Sequence, residues 1–303
     1  MHVLAIFGPT AVGKTSVAIE AAKLLRERGE DPVAVSCDAL QVYRGLETLT
    51  AAATATDREW LEHRLVGIAE LDEEFSAGRF AEIARREIDE LLAEGRRPMV
   101  VGGTGLYLRA ALAELELRPP VPAAVRDAVE ADIAAHGPEQ LHGQLDEALR
   151  ASVHPNDRKR IARALELQRA GLDPLPAGGG ELWTAELRHP TLLVGLVMDR
   201  AALAERISVR AHEIAAAGAT DEVRAADAAG ASRTARAAIG FEELLSGDLD
   251  AYVRAQCALA RRQLTWMRRL DGVHEIDRTG REDAEVAAEI VSVLVNREAY
   301  SAG

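Results

Sequence analysis

The feature that most constrains the fold is a glycine-rich turn close to the start of the chain. An apolar run, Val3–Phe7, leads into Gly8-Pro9-Thr10-Ala11-Val12-Gly13-Lys14-Thr15, and a helical pattern follows to Arg28. The spacing G-x-x-x-x-G-K-[ST] between a strand and a helix is typical of a loop that binds phosphate through its backbone N–H groups. Lysine occurs elsewhere only at positions 23 and 159, so a chance match is improbable. We therefore expect a strand, a phosphate-binding loop and a helix at the start of the fold.

Each residue type in this turn suits a polyphosphate ligand. Gly8 and Gly13 allow the backbone to turn tightly enough for successive N–H groups to point at one phosphate. Lys14 can neutralise that phosphate and assist catalysis, and the hydroxyl of Thr15 can bind Mg²⁺. The turn therefore predicts a diphosphate or triphosphate ligand and Mg²⁺ as cofactor. The alternative is a tight turn followed by a solvated lysine.

Outside its middle section, the chain alternates short apolar runs with helical patterns. The runs that we interpret as further strands are Val33–Cys37, Pro98–Val101, Leu192–Met198 and Val273–Ile276. Helices are predicted where Phe80, Ala84, Ile88 and Leu91 share a face, around Leu203, Ile207 and Ile214, and over Glu282–Asn296. Continuously apolar strands that alternate with helices indicate a parallel sheet covered on both faces. The predicted fold class is α/β, a P-loop NTPase-like parallel sheet flanked by helices.

The middle of the chain has a different pattern. Strand signals are missing between the proline-rich Arg118–Pro122 and the glycines Gly178–Gly180. Two or three short helices are expected there, one with Val125, Val129 and Ile133 on one face and one over Arg158–Arg169. We predict a mostly helical insertion at residues 118–180, on flexible hinges, between core segments 1–117 and 181–303.

Two polar side chains follow predicted strands, at the edge where open parallel sheets bind ligands. Asp38 comes after the second strand, and its carboxylate could bind Mg²⁺, orient a hydroxyl or accept a proton. The next strand runs into Gly102-Gly103-Thr104, where a phosphotransferase would more often carry an acidic residue for Mg²⁺. Thr104 suits a neutral donor to a phosphate oxygen. The alternatives are a turn role for Asp38 and a helix cap for Thr104.

Composition limits the class of protein. The chain has 36 basic and 49 acidic residues, and its net charge of −13 alone argues against a nucleic-acid partner. No apolar run is long enough to span a membrane, and residues 1–7 have neither the basic start nor the length expected of a signal peptide. Cys37 and Cys257 have the spacing of neither a disulfide framework nor a zinc site. We expect a cytoplasmic protein with no membrane partner, and infer no obligate protein partner.

Arginines form two clusters that qualify the charge argument. One cluster comprises Arg158, Lys159, Arg160 and Arg163 in the predicted insertion, and the other comprises Arg254, Arg261, Arg262, Arg268 and Arg269. No acidic residue lies between Tyr252 and Leu270, and an unpaired basic stripe repels itself unless an anion is near. Solvated faces are the alternative. Arg206 and Arg210 could reach the phosphates, or could instead pair with Glu205 or Glu213.

Six blocks in this order carry a resemblance to a known family. They are G-P-T-A-x-G-K-T at 8–15, S-C-D-A-L-Q-V-Y-R-G at 36–45, V-G-G-T-G-L-Y-L at 101–108, H-P-N-D-x-x-R at 154–160, A-I-G-F at 238–241 and R-R-Q-L-T-W at 261–266. Together they resemble the tRNA dimethylallyltransferases, the isopentenyl-tRNA transferase family. The likeness extends from the first strand to about Trp266, and unrelated P-loop proteins lack the later blocks.

The resemblance implies transfer of a dimethylallyl group from dimethylallyl diphosphate to N6 of adenine 37, in the anticodon stem-loop of tRNAs reading codons that begin with U. It implies that Asp38 is the general base and that Thr104 donates to the leaving diphosphate. The diphosphate would lie on residues 8–15, with Arg206 and Arg210, and Mg²⁺ on Thr15. The positions that would contact tRNA are Asp38, Ala39, Leu40, Gln41, Thr104, Arg126, Lys159, Arg160, Ile161, Ala162, Arg163, Arg236, Arg261 and Arg262.

The sequence also departs from the family pattern at cationic positions. The usual Gly-Thr-Ala-Lys-Pro block is replaced by Leu49–Ala53, the usual His-His is Glu62-His63, Gln256-Cys257 replaces a Thr-Arg pair, and Glu242 replaces a basic residue. We therefore expect tRNA binding that is unusually sensitive to salt. The alternatives to be tested are an adenylate isopentenyltransferase, a small-molecule P-loop kinase, and a tRNA-binding protein without activity.

Overall fold

The computed structural model describes residues 1–115, 117–174 and 186–301. These residues form two compact units. Unit 1 comprises Met1–Glu114 and Leu182–Gly303, and unit 2 comprises Leu115–Glu181. Each unit has a hydrophobic core of its own. The predicted domain bounds, a core at 1–117 and 181–303 with an insertion at 118–180, stay a prediction. The glycines predicted as a hinge at 178–180 lie outside the described residues.

Unit 1 is built on a six-stranded parallel sheet. The strands are β1 (Val3–Phe7), β2 (Pro32–Ser36), β3 (His63–Arg64), β4 (Arg97–Gly102), β5 (Thr191–Val197) and β6 (His274–Asp277). They lie in the order β3-β2-β4-β1-β5-β6. Phe7 pairs with Gly102 on one side and with Gly195 on the other, so these strands end at the same edge of the sheet. The predicted α/β, P-loop NTPase-like sheet is confirmed.

The helices, in chain order, are α1 (Lys14–Glu27), α2 (Ala55–Trp60), α3 (Ala77–Ala93), α4 (Gly105–Leu112), α5 (Ala123–His136), α6 (Pro138–His142), α7 (Glu147–Ser152), α8 (Arg158–Arg169), α9 (Arg200–Ile214), α10 (Thr220–Ala228), α11 (Arg233–Arg236), α12 (Phe241–Leu245), α13 (Leu249–Met267) and α14 (Asp283–Ser301). A π-helical turn, Ala215–Ala219, joins α9 to α10. Sequence periodicity missed β3, α2 and α10–α12 because elements of two to nine residues show too few repeats of a period.

Helices cover both faces of the sheet, as the continuously apolar strands predict. Along β1, Leu4 and Ile6 belong to a cluster that includes residues of α1 and α14. Val3, Ala5 and Phe7 belong to the opposite cluster, with residues of α3, α4 and α13. All five β1 residues are buried, which is the expected environment of a central strand between two helical layers. This packing holds the loop after β1 rigidly at the sheet edge.

Unit 2 is helical within its described residues and contains α5–α8. Its core is formed by Val129 and Ile133 of α5, Ile161 and Leu165 of α8, and Leu141 of α6, among others. The predicted helix at 158–169 is confirmed. The expectation of two or three helices is wrong, because the described residues of unit 2 form four. The short helices α6 and α7 lie between the longer α5 and α8. Each of these is only five or six residues long, too short for periodicity to reveal.

The described part of the chain contains no helix with the length and hydropathy needed to cross a membrane.

Candidate active site

The phosphate-binding loop between β1 and α1 is held by hydrogen bonds to its carbonyl groups. Lys14 Nζ donates to the carbonyls of Gly8 (3.1 Å) and Pro9 (2.9 Å). Arg206 Nε donates to the carbonyl of Ala11 (3.1 Å). Because the C=O and N–H of one peptide unit point in opposite directions, carbonyls held by cations fix the directions of the neighbouring N–H groups. The loop thus has a defined, preorganised shape.

Two residues of this loop adopt left-handed backbone conformations. Ala11 has φ 62° and Gly13 has φ 93°. Left-handed residues in such a loop let successive N–H groups converge on one point, which creates a concave anion site. Gly13 is also the residue before the first turn of α1, where no side chain caps the helix. The N-terminus of α1 is therefore open to an anionic ligand, as the motif predicts.

Lys14 lies in an electrostatic environment that favours the loss of its proton. Its pKa is lowered from 10.5 to about 8, first by burial and then by the positive charge of Arg210, while the negative charge of Asp38 opposes the shift. Burial also lowers the pKa of the Arg210 guanidinium. Among the described residues, neither Arg206 nor Arg210 forms the direct salt bridge with Glu205 or Glu213 that was the alternative, although the charges of Glu213 and Asp57 oppose that lowering of the Arg210 pKa. Lys14 and Arg210 are both half-buried, and the charge of Arg210 disfavours that of Lys14, so an anion bound between them would be stabilised.

Asp38 and Thr104 are brought together at the adjacent edge of the sheet. The N–H of Ala39 donates to Thr104 Oγ1 (3.3 Å), and the N–H of Leu40 donates to Asp38 Oδ1 (3.0 Å). Asp38 therefore has the turn role considered as its alternative, with one carboxylate oxygen used in that turn. Thr104 is the N-cap residue of α4, as the alternative predicted, but its hydroxyl makes no capping hydrogen bond to that helix.

Gln263 links the phosphate-binding loop to this second segment. Its Oε1 accepts from the N–H of Thr10 (2.7 Å), and its Nε2 donates to the carbonyl of Gly103 (3.0 Å). A Cβ at Gly103 would lie 2.3 Å from Gln263 Nε2, and one at Gly105 would lie 2.3 Å from the ring of Trp266. The glycines of this segment therefore allow α13 to approach the sheet edge closely.

Gln263 and Trp266 belong to the R-R-Q-L-T-W motif, which by itself predicts no structural role for either side chain. The available signal was helical spacing: Gln256, Ala260, Gln263 and Met267 recur on one face of α13 and are all buried. A glutamine on an otherwise apolar helical face predicts a buried hydrogen-bonded role. Arg278, which donates to the carbonyl of Val12 (2.6 Å), was missed completely, since it lies beyond all of the quoted motifs.

A cleft of about 910 Å³ lies over these residues. Its walls include Thr10, Ala11, Gly13, Lys14, Thr15, Asp38, Leu40, Gln41, Thr104, Arg206, Arg210 and Gln263. Aliphatic side chains, among them Leu49, Ile214, Ile239 and Leu259, line other parts of it. The carboxylates of Glu47, Asp57 and Glu213 also line it, so the cleft combines a cationic region at the loop, Asp38 and a hydroxyl at the next strand, further acidic groups, and apolar surface.

No group of three or more His, Cys, Asp or Glu side chains suited to a metal occurs among residues 1–115, 117–174 and 186–301. Mg²⁺ usually keeps several waters and binds through one or two protein oxygens together with substrate phosphates. The hydroxyl of Thr15 and the carboxylate of Asp38 both line the cleft, so the donor set fits that mode of binding.

Some side chains predicted to contact tRNA are already engaged within the protein. The amide of Gln41 accepts from Ser36 Oγ (2.9 Å) and donates to the carbonyl of Thr50 (3.3 Å). Arg236 forms ion pairs with Asp227 and with Glu242 (2.9 Å). The guanidinium of Arg236 also lies over the ring of Phe241. Contact with a further partner would require these side chains to exchange existing bonds.

On α8, the predicted basic cluster is balanced by acidic neighbours. The ion pairs are Arg158–Glu130 (2.6 Å), Arg160–Asp157 (3.5 Å), Arg163–Glu166 (3.0 Å) and Arg169–Asp132 (2.7 Å). The side chains of Ile161 and Ala162 are buried in the core of unit 2, so their predicted contact with tRNA, which stays a prediction, would have to be made by the backbone. Helical geometry turns only Lys159, Arg160 and Arg163 of this segment away from the core. Arg126 lies half-buried on α5.

On α13, the second arginine cluster has a different environment. Arg261, Arg262 and Arg269 are exposed and line a groove of about 460 Å³ together with Thr265 and Trp266. Arg254 lies 3.8 Å from Asp248, so the expectation of a cluster with no acidic partner is wrong. Asp248 precedes Tyr252, where the stretch without acidic residues begins. A basic groove next to an aromatic ring suits a single-stranded nucleic acid.

Comparison with known proteins identifies the family. A family model described as IPP transferase matches residues 41–270. A curated tRNA dimethylallyltransferase of Thermobifida fusca (strain YX) is 37% identical over 292 residues, which cover 90% of this chain and 88% of the relative. The chain belongs to the IPP transferase family.

Two further proteins support this membership. A tRNA dimethylallyltransferase of Anaeromyxobacter sp. (strain Fw109-5) is 40% identical over 292 residues, covering 91% of this chain and 94% of the relative. The crystal structure of a tRNA isopentenylpyrophosphate transferase from Bacillus halodurans has a TM-score of 0.70 and 31% identity, covering 97% of this chain and 96% of that chain. The predicted resemblance is confirmed, and the IPP transferase is an enzyme of the transferase class. Arg278 lies outside the matched interval.

Proposed function

We propose that this IPP transferase transfers a dimethylallyl group from dimethylallyl diphosphate to N6 of adenine 37 in tRNAs reading codons that begin with U. The observation that carries the proposal is the composition of one cleft. Lys14 and Arg210, which form no direct salt bridge among the described residues, line the same cleft as Asp38 and Thr104. Lys14 and Arg210 can bind the negatively charged diphosphate of an allylic donor. Asp38 and Thr104 can bind and activate an amine acceptor.

At the donor end, the chain's own groups stabilise the departing diphosphate. The N–H groups at the start of α1, Lys14 and Arg210 offset the negative charge that develops as the bond between carbon and oxygen breaks. Mg²⁺, bound by Thr15 and the diphosphate, would add positive charge there. Arg206 acts through the loop, because its guanidinium holds the carbonyl of Ala11.

At the acceptor end, the chain must activate a weak nucleophile. The exocyclic amine of adenine is conjugated with the ring, so its attack on the allylic carbon needs a base that removes a proton as the new bond forms. Asp38 is assigned that role. One of its oxygens is fixed by the N–H of Leu40, which orients the other, and Thr104 is held beside it through Ala39. The new N–C bond, the lost N–H proton and the released diphosphate balance the reaction.

An adenine stacked in an anticodon loop cannot reach this cleft without leaving the stack, so we expect it to flip out of the loop. The exposed groove formed by Arg261, Arg262, Thr265, Trp266 and Arg269 is assigned to the anticodon loop and its phosphates. Lys159 and Arg160, exposed on α8, are assigned to further phosphate contacts. These are few cations for a chain of net charge −13, so we expect weak binding whose salt dependence reflects only a few phosphate contacts.

The test is a transfer assay on a synthetic anticodon stem-loop carrying A36-A37-A38, with dimethylallyl diphosphate and Mg²⁺. The expected product is N6-dimethylallyl-adenosine at position 37 together with one diphosphate per transfer. Activity on free AMP without activity on the stem-loop would select an adenylate isopentenyltransferase. ATP consumption without prenyl transfer would select a kinase, and tight stem-loop binding without either reaction would select a binding protein.

A further inference from the structure

Arg278 contacts the phosphate-binding loop but does not line the cleft. It follows β6, its side chain is only 5% exposed, and its Nη1 donates to the carbonyl of Val12 (2.6 Å). The N–H of Arg278 donates to the carbonyl of Val197 at the end of β5 (3.0 Å). The backbone of Arg278 is therefore bound to the end of β5, while its guanidinium is bound to the phosphate-binding loop that follows β1.

The hydrogen bond to Val12 fixes a group that faces the ligand. The carbonyl of Val12 and the N–H of Gly13 belong to one planar peptide unit and point in opposite directions. A cation that holds this carbonyl on one side therefore aims the Gly13 N–H to the other side, where the loop forms its concave surface. Lys14 and Arg206 act in the same way on the carbonyls of Gly8, Pro9 and Ala11.

Packing at Gly13 points to the same role. A Cβ at Gly13 would lie 1.8 Å from Arg278 Nη1, so the guanidinium lies directly against the glycine Cα. The φ of Gly13 is 93°, a conformation that other residues rarely adopt. The glycine at this position is therefore required twice, once for its backbone conformation and once for the approach of Arg278.

The position of Arg278 depends on the last helix. Asp283, the first residue of α14, forms an ion pair with Arg278 Nη1 (2.9 Å). A buried guanidinium without such a partner would be costly, so Asp283 stabilises the charge that the loop uses. The pair lies beyond the residues 41–270 that define the family match, and the loop lies before them.

We propose that Arg278, held by Asp283, is a positioning residue that aims the Gly13 N–H at the diphosphate. The inference rests on the proposed function for the identity of the ligand. It makes the junction of β6 and α14 part of the donor site, although no residue there touches the donor. Loss of Arg278 should weaken donor binding while leaving tRNA binding unchanged.

The experiment measures the binding of inorganic pyrophosphate with Mg²⁺ by calorimetry, and the KM values for both substrates. For Arg278→Met we expect the Kd of pyrophosphate and the KM of dimethylallyl diphosphate to rise about 10-fold to 100-fold, the effect of losing one hydrogen bond to a charged group. The KM of the stem-loop should not change. Arg278→Lys, which keeps the charge beside Asp283 but not the planar fork, should show a smaller rise.

The matched control is Arg281→Met. Arg281 lies on the same turn, forms an ion pair with Glu289 (2.7 Å) and is more exposed, so the variant removes the same charge without touching the loop. Its pyrophosphate Kd should equal that of the wild type. Thermal melting identifies any variant that fails to fold; if Arg278→Met does not fold, the Arg278→Lys result decides.

The outcomes separate this inference from the proposed function. A folded Arg278 variant with unchanged pyrophosphate binding overturns the positioning role and leaves only a structural ion pair. Equal increases in the KM of donor and stem-loop also overturn it. If the wild type binds pyrophosphate but does not prenylate the stem-loop, the proposed reaction is wrong. The role of Arg278 is then still tested by comparing the pyrophosphate Kd of the wild type with that of the Arg278 variants. If the wild type binds no pyrophosphate, both proposals fail.

Discussion

The cations of the cleft and the cations of α8 are similar side chains in opposite environments. In the cleft, Lys14 and Arg206 donate to backbone carbonyls, and the half-buried Arg210 lies near enough to Lys14 to lower its pKa. On α8, each arginine lies within 4 Å of a carboxylate of unit 2. Within the described parts of the chain, the first set forms no direct salt bridge and is offset only through the nearby charges of Asp38, Asp57 and Glu213, whereas the second set is largely neutralised by direct ion pairs.

This difference shows that the number of cationic side chains on a surface does not by itself determine how strongly that surface binds an anion. Burying a cation without a counter-ion costs free energy, and an anionic ligand recovers part of that cost. An exposed ion pair on α8 gains little when an anion arrives, because the guanidinium must first leave its carboxylate or share it. We therefore expect the cleft to dominate donor binding and α8 to make a small contribution to tRNA binding.

The largest effect that would test this comparison is expected at the carboxylate beside the cleft cations. Asp38→Asn should lower the transfer rate by about 100-fold to 10,000-fold, since it removes the proposed base. Stem-loop binding should persist. The control is Asp157→Asn, which alters the carboxylate paired with Arg160 on α8 and should leave the rate unchanged. Single-turnover rates and filter binding measure the two properties, and equal loss of both in Asp38→Asn would show a binding or structural role instead.

The next largest effect separates the two sets of cations directly. Lys14→Met should raise the Kd of pyrophosphate by about 100-fold, because a buried charge-assisted contact is lost. Arg160→Met, which removes an exposed and already paired charge, should leave it unchanged. Calorimetry with Mg²⁺ provides the measurement. Similar Kd values for the two variants would contradict the distinction between cleft and α8.

The pKa of Lys14 predicts a pH dependence that α8 should lack. With a pKa of about 8 in the free protein, Lys14 is charged below that pH and loses its proton above it, so pyrophosphate affinity should fall by up to tenfold per pH unit above about 8. The unfolded chain keeps this proton to about 10.5, so the same titration makes stability rise with pH between these values. In the Lys14→Arg variant, pyrophosphate itself titrates as it does with the wild type, but the side chain at position 14 stays charged. The additional decrease in pyrophosphate affinity above about pH 8 should therefore be absent. Identical profiles for both proteins would refute the assignment.

A smaller effect is expected in the salt dependence of stem-loop binding. Arg262→Met should reduce the slope of log K against log salt by about 0.7 to 1, the value of one phosphate contact. Arg160→Met should reduce it less, since its ion pair with Asp157 competes with phosphate. Binding isotherms at several salt concentrations give both slopes. A larger change for Arg160 than for Arg262 would reverse the ranking of the two helices.

The smallest effect concerns stability alone. Arg163 pairs with the buried Glu166 and donates to the carbonyl of Pro119 (2.7 Å), so Arg163→Met should destabilise unit 2 by about 1 to 2 kcal/mol. Arg160→Met, which removes an exposed pair, should cost less than 1 kcal/mol. Urea unfolding measures both. Equal costs would show that Arg163 is no more structural than Arg160.

Much of the core was predictable because its signals are local. The helix at 77–93 buries Phe80, Ala84, Ile88 and Leu91 on one face, as their spacing predicts. The second strand begins and ends one residue earlier than predicted, at Pro32–Ser36 instead of Val33–Cys37. Short elements such as β3 were not predictable, since a two-residue strand depends on its neighbour β2 and not on any pattern of its own.

For the site, the sequence by itself determined which residues carry chemistry. The glycines, Lys14 and Thr15 of the loop, and the polar residues after the next strands, are set by spacing along a short stretch of chain, and the structure places Lys14, Thr15, Asp38 and Thr104 around one cleft.

Only the tertiary structure decided how those residues are held and which charges are available. Gln263 and Arg278 reach the loop from segments about 250 residues away, at contacts with Thr10 and Val12. Arginines that look equivalent in sequence differ because Arg163 forms a direct ion pair with Glu166, while Arg210 forms no salt bridge within the part of the chain that the structure describes. The physical reason is range: a backbone pattern is encoded by neighbours in sequence, whereas the partner of a charge is whatever folding brings within about 4 Å of it.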